Sequence, residues 1–305
     1  MNGIIVVNKP KGMTSHQVVG KVRRILGIKK IGHTGTLDPD VDGVLPLCIG
    51  SATRIAEYLL DQSKAYKGEV TFGFSTTTQD ASGEVVEQVD QVFLTEEQVN
   101  LAFSRFHGEI EQIPPAFSAL KVDGKRAYEL ARQGEQVVLA ARKVTIYSIE
   151  ILHMDLSTDY PRVQFRVECS KGTYIRTLCH DLGRELGVPS HMSRLTRIRS
   201  GPFTLEMSHT LEELERAKEE GEIGRYLLSA SVAVEYLPVY SVSDKQERRV
   251  LNGMEMTFPL VETFALAVGD RIRIESRSGK LLAIYRVVRV EDQEVFTKPE
   301  KVFKE

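Results

Sequence analysis

Apolar positions along this chain alternate between strand-like and helix-like periods. Runs of alternating or continuous apolar residues predict strands, and apolar residues spaced three or four apart predict helices. The predicted strands are 4–7, 67–74, 144–152 and 162–169, and the predicted helices are 15–26, 52–60, 95–106, 127–133, 173–186 and 211–220. Ser15 and Thr95 are the expected N-caps of the first and third helices. Because the elements lack a regular βαβ order, we predict an α/β or α+β fold with a mixed, largely antiparallel sheet.

The C-terminal part of the chain is rich in strand signals. Residues 271–275 and 281–290 are strand-like and flank a Ser-Gly turn, which predicts a hairpin. Pro238 marks the expected boundary before this region. We therefore predict a large domain over residues 1–236 and a small β-rich domain over residues 237–305.

The positive charges are clustered in separate segments of the sequence, although the net charge of the whole chain is close to zero. The chain has 305 residues and a formal net charge of −2. Residues 9–33 and 186–204 contain lysines or arginines but no acid, and residues 206–222 are dominated by glutamates. Such runs are often solvated helix faces, but a basic face is also what a polyanion binds with release of its counterions. Nucleic acid is therefore a candidate partner.

Several function classes lack their sequence signatures. No segment approaches the ~20 apolar residues that a membrane-spanning helix needs, so we expect a cytoplasmic protein. Cys48, Cys169 and Cys179 are odd in number and lack CxxC spacing, which favours reduced thiols over disulfides or zinc. The dinucleotide-binding, P-loop and zinc-protease motifs are absent from the sequence. An enzyme without a metal or other cofactor remains.

The most informative segment is a loop over residues 32–46 that places one carboxylate between glycine-rich turns. Asp38 precedes a proline, and an Asp-Pro step stiffens the backbone after it. Such residues also form ordinary turns, and Asp38, Asp40 and Asp42 match three positions of an EF-hand calcium loop. That calcium pattern fails where Ile49 replaces the bidentate glutamate. A loop of this kind aims a side chain, which makes Asp38 a candidate catalytic group.

The sequence Gly-His-Thr-Gly-Thr-Leu-Asp-Pro over residues 32–39 resembles the nucleophile loop of the TruB family of tRNA pseudouridine synthases. Four further segments match this family in the order that it requires. They are residues 9–16, 64–68, 171–178 and 191–197. The resemblance implies the pseudouridine synthase fold over most of the large domain, with a thumb insertion over about 105–144 and a PUA-like RNA-binding domain at the C-terminus.

This resemblance implies roles for three catalytic residues. Asp38 matches the family's nucleophile, and Arg176 matches the guanidinium partner that keeps it ionised and oriented. Tyr66 matches the tyrosine that stacks on the extracted uracil and brings its hydroxyl near the sugar or ring. Without the resemblance, Asp38 would be interpreted as a turn residue, Arg176 as a surface helix charge and Tyr66 as a core aromatic. The family match makes them the expected catalytic set.

Five residues are expected to bind the substrate base by the same resemblance: Lys9, His33, Tyr66, Tyr174 and Leu195. The histidine fills the space that the flipped nucleotide leaves. Tyr174 and Leu195 close the uracil pocket, and Lys9 supports that pocket near Tyr66. In isolation, Leu195 reads as a core residue and His33 as a polar loop residue.

Basic residues are expected to contact the RNA backbone. The thumb includes a proline-containing, aromatic and basic stretch, in which Phe117 is the expected apolar wedge. The predicted RNA-binding residues are Lys121, Lys125, Arg126, Arg194 and Arg197. A weaker binding role is assigned to Asp80, in a turn at a strand end.

The resemblance implies an isomerase that converts uridine to pseudouridine at position 55 in the TΨC loop of tRNA by base flipping. It implies no metal and no cofactor, and we expect a monomer that does not bind membranes. Two alternatives remain: a guide-RNA-dependent relative that works in a ribonucleoprotein, and an RNA-binding or tRNA-folding protein. The sequence leaves open whether Asp38 attacks C1′, adds to C6 or acts as a base in a glycal-type route.

Overall fold

The computed structural model describes residues 1–118, 120–122, 124–135, 137–261 and 263–304. Residues 119, 123 and 136 of the predicted thumb therefore lie outside the described residues. The α-helices are α1 Ser15–Leu26, α2 Ala56–Leu60, α3 Glu96–Ser104, α4 Ala127–Arg132, α5 Ile175–Leu186, α6 Leu211–Glu219 and α7 Asp244–Leu251. Short 3₁₀ helices span Gly50–Ile55, Leu205–Met207, Ile223–Tyr226 and Ala230–Val234.

The strands fall into two large sheets and two small hairpins. They are β1 Gly3–Lys9, β2 Ile31–His33, β3 Asp42–Ile49, β4 Lys64–Phe72, β5 Phe74–Thr76, β6 Val85–Gln88, β7 Gly108–Gln112, β8 Lys121–Val122, β9 Lys125–Arg126, β10 Arg142–Asp155, β11 Arg162–Cys169, β12 Ser190–Ser200, β13 Phe203–Thr204, β14 Val239–Val242, β15 Met256–Pro259, β16 Arg271–Ser276, β17 Leu281–Glu291 and β18 Glu294–Val302.

The larger sheet has the strand order β1-β3-β12-β4-β11-β10-β7, with β2 added to β3 and β13 added to β12. Strand β12 pairs with β3 in parallel, and the other recorded pairings in this sheet are antiparallel. This confirms the predicted mixed, largely antiparallel sheet. Strands β12 and β4 lie at its centre, where both edges are covered by neighbours.

One side of this sheet carries the main core. Phe165 and Val167 of β11 alternate with polar residues and pack, fully buried, against helices α3 and α5. Phe103 of α3 and Leu182 of α5 complete the cluster. Each such side chain contributes about 1.5–3 kcal/mol by leaving water, so this layer fixes the helices on the sheet. Helix α5 is thereby held with its N-terminus beside the loop that follows β2.

The five-stranded sheet has the order β14-β16-β17-β18-β15 and forms the β-rich C-terminal part that the sequence predicted. It contacts the larger sheet through a shared apolar cluster that includes Ile4, Leu281, Ile284 and Phe303. We call this group the junction cluster. Polar contacts reinforce it, because the Tyr58 hydroxyl of α2 donates to Glu300 of β18 at 2.9 Å.

Two local predictions differ from the structure. The N-cap of α1 is Thr14, which forms a reciprocal capping box with Gln17, whereas Ser15 is the first helical residue. Residues predicted as one helix over 52–60 form a 3₁₀ helix and then the short α2. Thr95 is the N-cap of α3, as predicted.

Candidate active site

The loop that carries Asp38 is held from both sides by hydrogen bonds to distant parts of the chain. The Ser15 hydroxyl accepts from the Leu37 N–H at 2.8 Å and donates to the Leu37 carbonyl at 3.2 Å. The Gly12 N–H donates to the Pro39 carbonyl at 2.9 Å. The residues on either side of Asp38 are therefore fixed to the turn before α1 and to its first residue. The 9–16 and 32–39 segments are therefore in direct contact.

Lys9 lies beneath this loop and is fully buried. Its ammonium donates to the carbonyls of Pro10 at 2.9 Å, Met13 at 2.5 Å and Pro39 at 3.0 Å. Burial lowers the pKa of Lys9 to about 8, although the nearby aspartates oppose that shift. Lys9 was predicted to support the uracil pocket and to bind substrate, and its three recorded bonds hold backbone carbonyls at and near the Asp38 loop.

Arg176 joins two carboxylates and two backbone segments. Its Nε lies 3.1 Å from Oδ2 of Asp38, and its Nη1 lies 3.6 Å from Oδ2 of Asp80. The same guanidinium donates to the carbonyls of Thr78 at 3.0 Å and Phe117 at 2.9 Å. Its side chain is only 7% exposed, so these contacts lie largely out of water. The predicted Asp38–Arg176 pair is present, and Asp80 joins it.

Opposing effects act on the pKa of the Asp38 carboxyl. Although 43% of its side chain remains exposed, desolvation by the surrounding protein raises the pKa of Asp38 above its usual value, and Arg176 opposes this most strongly. The Asp80 charge raises this pKa further, and Lys9 lowers it. A carboxylate that is partly desolvated and held by one fixed cation is suited to act as a nucleophile or a base.

Tyr66 and Arg197 are cross-strand neighbours on β4 and β12, and burial raises the pKa of the Tyr66 phenol while the Arg197 charge opposes that shift. Arg197 also donates from Nε to the Val44 carbonyl at 2.8 Å and from Nη2 to the Gly35 carbonyl at 3.3 Å. It was predicted to bind RNA, but it is only 1% exposed. A guanidinium used inside the protein in this way cannot reach a phosphate, and that prediction is wrong.

Gly43 makes the parallel contact between β3 and β12 possible. It adopts a φ of +105°, and a Cβ at this position would lie 2.2 Å from the Arg197 carbonyl oxygen. Beside it, the Thr196 hydroxyl donates to Asp42 at 2.5 Å. Sequence reasoning missed both Gly43 and Asp42 as site residues. The high glycine content of the 32–46 loop was the available sequence signal. It does not show which glycine packs against a neighbouring strand.

The other predicted pocket residues occupy separate elements. Leu195 of β12 is 7% exposed and belongs to the same apolar cluster as Leu37 and Tyr66, next to the Asp38 loop. His33 ends β2, and burial together with the Arg197 charge lowers the pKa of its imidazole. The imidazole is thus biased towards its neutral form, which suits stacking on a base.

Tyr174 is the residue before α5, two positions ahead of Arg176. Its backbone is held by Gln112, which accepts from the Tyr174 N–H at 3.1 Å and donates to its carbonyl at 3.2 Å. The Arg142 guanidinium lies 4.6 Å from the centre of the tyrosine ring, within cation–π range. These contacts fix the ring at the end of α5 that also presents Arg176.

The described part of the predicted thumb forms a small basic hairpin and a short helix. Lys121 and Lys125 are exposed on β8 and β9, and the exposed Arg126 precedes α4. Phe117 is half-buried, and its carbonyl is bound by Arg176, which places the base of this region against the Asp38 site. Arg194 is 69% exposed, with its Nε 3.8 Å from Glu69. These positions are compatible with contacts to a polyanion.

The salt dependence of RNA binding should report on the thumb. Replacing both Lys121 and Lys125 with Gln removes two exposed charges, so we expect the slope of log K against log salt to become shallower by roughly 1.5. Filter binding of a tRNA transcript across a salt series measures this slope. The control is Lys218→Gln on α6, which should leave the slope unchanged. An identical slope for the double variant and the wild type would remove the thumb from the RNA-binding face.

The residues that the structure describes lack the features of two other kinds of site. They contain no group of three or more His, Cys, Asp or Glu side chains placed to hold a metal ion. Within those residues, no helix has the length and apolar character needed to cross a membrane. An open groove of about 500 Å³, lined by residues such as Gln62, Tyr147 and Tyr236, contains none of the predicted site residues. Asp38 and Arg176, by contrast, are in direct contact.

Two models of known protein families together match most of the chain. The model described as "TruB family pseudouridylate synthase (N terminal domain)" matches residues 23–175. A second model, "tRNA pseudouridylate synthase B C-terminal domain", matches residues 176–235. The first match contains Asp38 and Tyr66, and the second begins at Arg176.

Curated relatives with similar sequences are named tRNA pseudouridine synthase B. The protein of Bacillus pumilus is 47% identical over 288 residues, covering 93% of each chain. That of Geobacillus thermodenitrificans is 45% identical over 308 residues and covers 100% of each chain. That of Halalkalibacterium halodurans is 47% identical over 305 residues, covering 99% of this chain and 97% of the relative.

Similar solved structures include Cbf5 complexes. One, titled as a Cbf5-Nop10-Gar1 complex, matches with a TM-score of 0.76 and 30% identity, covering 99% of this chain and 85% of that chain. A second, titled as the archaeal box H/ACA sRNP Nop10-Cbf5 complex, matches with a TM-score of 0.74 and 30% identity, covering 99% and 86%. The similarity extends over the β-rich C-terminal part as well as the large sheet.

Proposed function

The chain belongs to the TruB family of pseudouridylate synthases, and from that premise we propose that it isomerises uridine 55 in the TΨC loop of tRNA. It is an isomerase that converts uridine to pseudouridine in tRNA. The proposal adds the target position and the residues that act on it. The observation that carries the proposal is the ion pair between Asp38 and Arg176, formed in the loop that the family sequence marks.

The reaction breaks the N1–C1′ bond of a uridine, turns the uracil and joins C5 to C1′. We assign the nucleophilic or basic step to Asp38, since its carboxylate is aimed by a loop fixed at Leu37 and Pro39. Arg176 keeps this carboxylate ionised and in one orientation, because its Nε makes the direct contact. Attack on C1′, addition to C6 and proton abstraction in a glycal-type route all begin from this same ionised Asp38.

A uridine in a folded loop is stacked, so it must leave the stack before Asp38 can reach it, at a cost of a few kcal/mol. We assign stacking on the extracted base to Tyr66 and closure of its pocket to Leu195 and Tyr174. His33 would occupy the space that the base leaves in the RNA, for which a flat, neutral imidazole is suited. Each of these roles follows the family resemblance and the position of the side chain near the Asp38 loop.

The wider assignments are part of the same proposal. The large sheet with its thumb serves as the catalytic domain, and the five-stranded sheet serves as a PUA-like RNA-binding domain. Lys121, Lys125, Arg126 and Arg194 are assigned to the phosphate backbone of the RNA. We further propose a cytoplasmic monomer, and the three cysteines, which are free and buried, agree with a reducing compartment.

A guide-independent assay tests the proposed substrate. The purified chain, incubated with an unmodified TΨC stem-loop transcript and no other RNA, should form pseudouridine at the position equivalent to 55. Mapping of the modified nucleotide by carbodiimide-dependent reverse-transcription stops measures it. A transcript with cytidine at that position is the matched control.

The alternatives give different results in the same assay. The similarity to Cbf5 structures favours, as a second candidate, a guide-dependent enzyme, which would leave the stem-loop unmodified until a guide RNA was supplied. A protein whose role is only RNA binding or folding would leave it unmodified under every condition. Modification at another uridine would reject the proposed position.

A further inference from the structure

Gln112, the last residue of β7, is a buried amide whose two recorded side-chain bonds both go to Tyr174. Its side chain accepts from the Tyr174 N–H at 3.1 Å and donates to the Tyr174 carbonyl at 3.2 Å. Glutamine is mostly an exposed residue, yet Gln112 is only 1% exposed. Because a primary amide carries a donor and an acceptor side by side, Gln112 pairs with the backbone of Tyr174 as a neighbouring strand would.

The start of helix α5 depends on this pairing, because the helix has no cap of its own. Tyr174 is the N-cap residue, and its side chain makes no capping hydrogen bond. Ser, Thr, Asp and Asn are preferred at this position, since their side chains accept from the first free N–H groups of the helix. The Tyr174 carbonyl accepts the first helical bond, from the Leu178 N–H at 3.0 Å, and also the bond from Gln112. Gln112 therefore locates the residue at which α5 begins.

We propose that Gln112 is a positioning residue that holds Tyr174 in the place where its ring closes the uracil pocket. This inference deepens the proposed function and rests on it. Gln112 acts through the backbone of Tyr174 and does not itself touch the base. Arg176, two positions along the same helix, is held separately by its bonds to the Thr78 and Phe117 carbonyls. Loss of the Gln112 amide should therefore displace Tyr174 more than Arg176.

The strand next to Gln112 holds the same turn through the tyrosine ring. Gln112 stands directly opposite Arg142 in the β7–β10 pairing, at the point where the thumb leaves the large sheet and returns to it. The Arg142 guanidinium donates to the Gly172 carbonyl and lies 4.6 Å from the centre of the Tyr174 ring. The backbone of Tyr174 is thus held from β7 and its ring from β10. Both strands at the base of the thumb serve to place this one residue.

Gln112→Met tests this role, because methionine has a similar length and cannot replace the amide as a donor and an acceptor. Single-turnover assays with a TΨC stem-loop give the rate at saturation and the affinity separately. We expect the saturated rate to fall by about tenfold or more, since a small displacement of a pocket wall disturbs the alignment of the base with Asp38. The affinity should stay within about threefold of the wild type, because phosphate contacts supply most of it.

Gln62→Met is the matched control. Gln62 also holds a backbone carbonyl, that of Ala233 at 2.8 Å, but it lines the open groove outside the candidate active site. Its replacement should leave both the rate and the affinity unchanged. A wild-type rate in folded Gln112→Met, or a loss confined to affinity, would overturn the inference.

A spectroscopic readout follows Tyr174 directly and needs no turnover. The full chain, which has 10 tyrosines, would be labelled with 3-fluorotyrosine, and the ¹⁹F signal of Tyr174 identified by its loss in Tyr174→Phe. We expect Gln112→Met to shift or broaden this signal, because the ring loses its fixed place beside the Arg142 guanidinium. Gln62→Met should leave the signal in place. A Tyr174 signal that does not move in folded Gln112→Met would reject the positioning role.

A second variant covers the case in which Gln112→Met fails to fold. Gln112→Asn keeps the amide on a side chain one carbon shorter, which cannot reach both backbone groups of Tyr174. It should lower the saturated rate by a smaller factor and shift the same ¹⁹F signal, and the absence of both effects would overturn the inference. Failure of the wild type to modify the stem-loop would reject the proposed function instead, whereas the ¹⁹F signal of the free protein reports only on how Tyr174 is held.

Discussion

Replacing Asp38 with Asn should lower the single-turnover rate by about 10⁴-fold or more while changing tRNA affinity by no more than about tenfold. The amide keeps the size and shape of the carboxyl group but carries no charge and is a poor nucleophile. The loop should persist, because its anchors are the Leu37 and Pro39 backbone groups. Rapid-quench assays give the rate, and filter binding gives the affinity.

A matched control and an altered substrate sharpen this test. Asp40→Asn changes an exposed carboxyl in the same loop and should leave the rate within about threefold of the wild type. RNA with 5-fluorouridine at the target cannot lose fluorine from C5 as a proton, so the wild type should stall at a C5-linked non-aromatic product or a covalent adduct. The Asp38→Asn chain should leave this RNA unaltered. Substantial turnover by Asp38→Asn would remove Asp38 from the chemistry.

Replacing Arg176 with Met should lower the rate by about 10²–10³-fold at neutral pH, with a smaller loss in RNA affinity. The change removes the cation between Asp38 and Asp80 and leaves two carbonyl acceptors, at Thr78 and Phe117, without their donor. Asp38 should then be both less fixed and more often protonated. Single-turnover assays across a pH series measure both effects.

The direction of the pH effect follows from the charges around Asp38. The ionised carboxylate is the active form, so the wild-type rate should fall as pH drops through the raised pKa of Asp38. Arg176 lowers that pKa, so its removal should move the fall to higher pH. Arg184→Met, an exposed change on the same helix, should leave the midpoint in place. An unmoved midpoint in Arg176→Met would show that Arg176 does not set the ionisation of Asp38.

The sequence best predicted the elements in which apolar, buried residues alternate regularly with polar residues. Strand β11 has the predicted bounds, Arg162–Cys169, because its apolar residues alternate without interruption and face the core of α3 and α5. The Asp38 loop was found for a similar local reason. Its glycines and its Asp-Pro step lie together in the sequence and determine the backbone directly.

Strands β3 and β12 were missed, although both lie in the interior of the sheet. Strand β12, Ser190–Ser200, contains a histidine, three arginines and several hydroxyl residues, so its composition resembles a solvated basic segment. Strand β3 contains Gly43 and Pro46, which are typical of turns. Their pairing is set by partners far along the chain, and a local pattern does not carry that information.

The two buried cations, Lys9 and Arg197, also have contacts that a local sequence pattern does not predict. Lys9 was predicted from the family resemblance to support the pocket and bind substrate, and Arg197 was predicted to bind RNA as part of a basic segment. Both are satisfied in the structure mainly by backbone carbonyls, including that of Pro39 for Lys9 and that of Val44 for Arg197. A carbonyl has no sequence signature, so these contacts follow only from the three-dimensional arrangement.

The junction cluster affects the order in which the chain packs during its synthesis. Ile4 lies near the start of the chain, and Leu281, Ile284 and Phe303 lie near its end, yet all four pack in one apolar group. During synthesis, β1 leaves the ribosome long before Leu281, Ile284 and Phe303, so these three residues are the last of the four to join the cluster. The central strands and the Asp38 loop can assemble earlier, but the layer beneath β1 closes only after Phe303 has emerged. The apolar layer beneath β1 is therefore completed by residues of the five-stranded sheet.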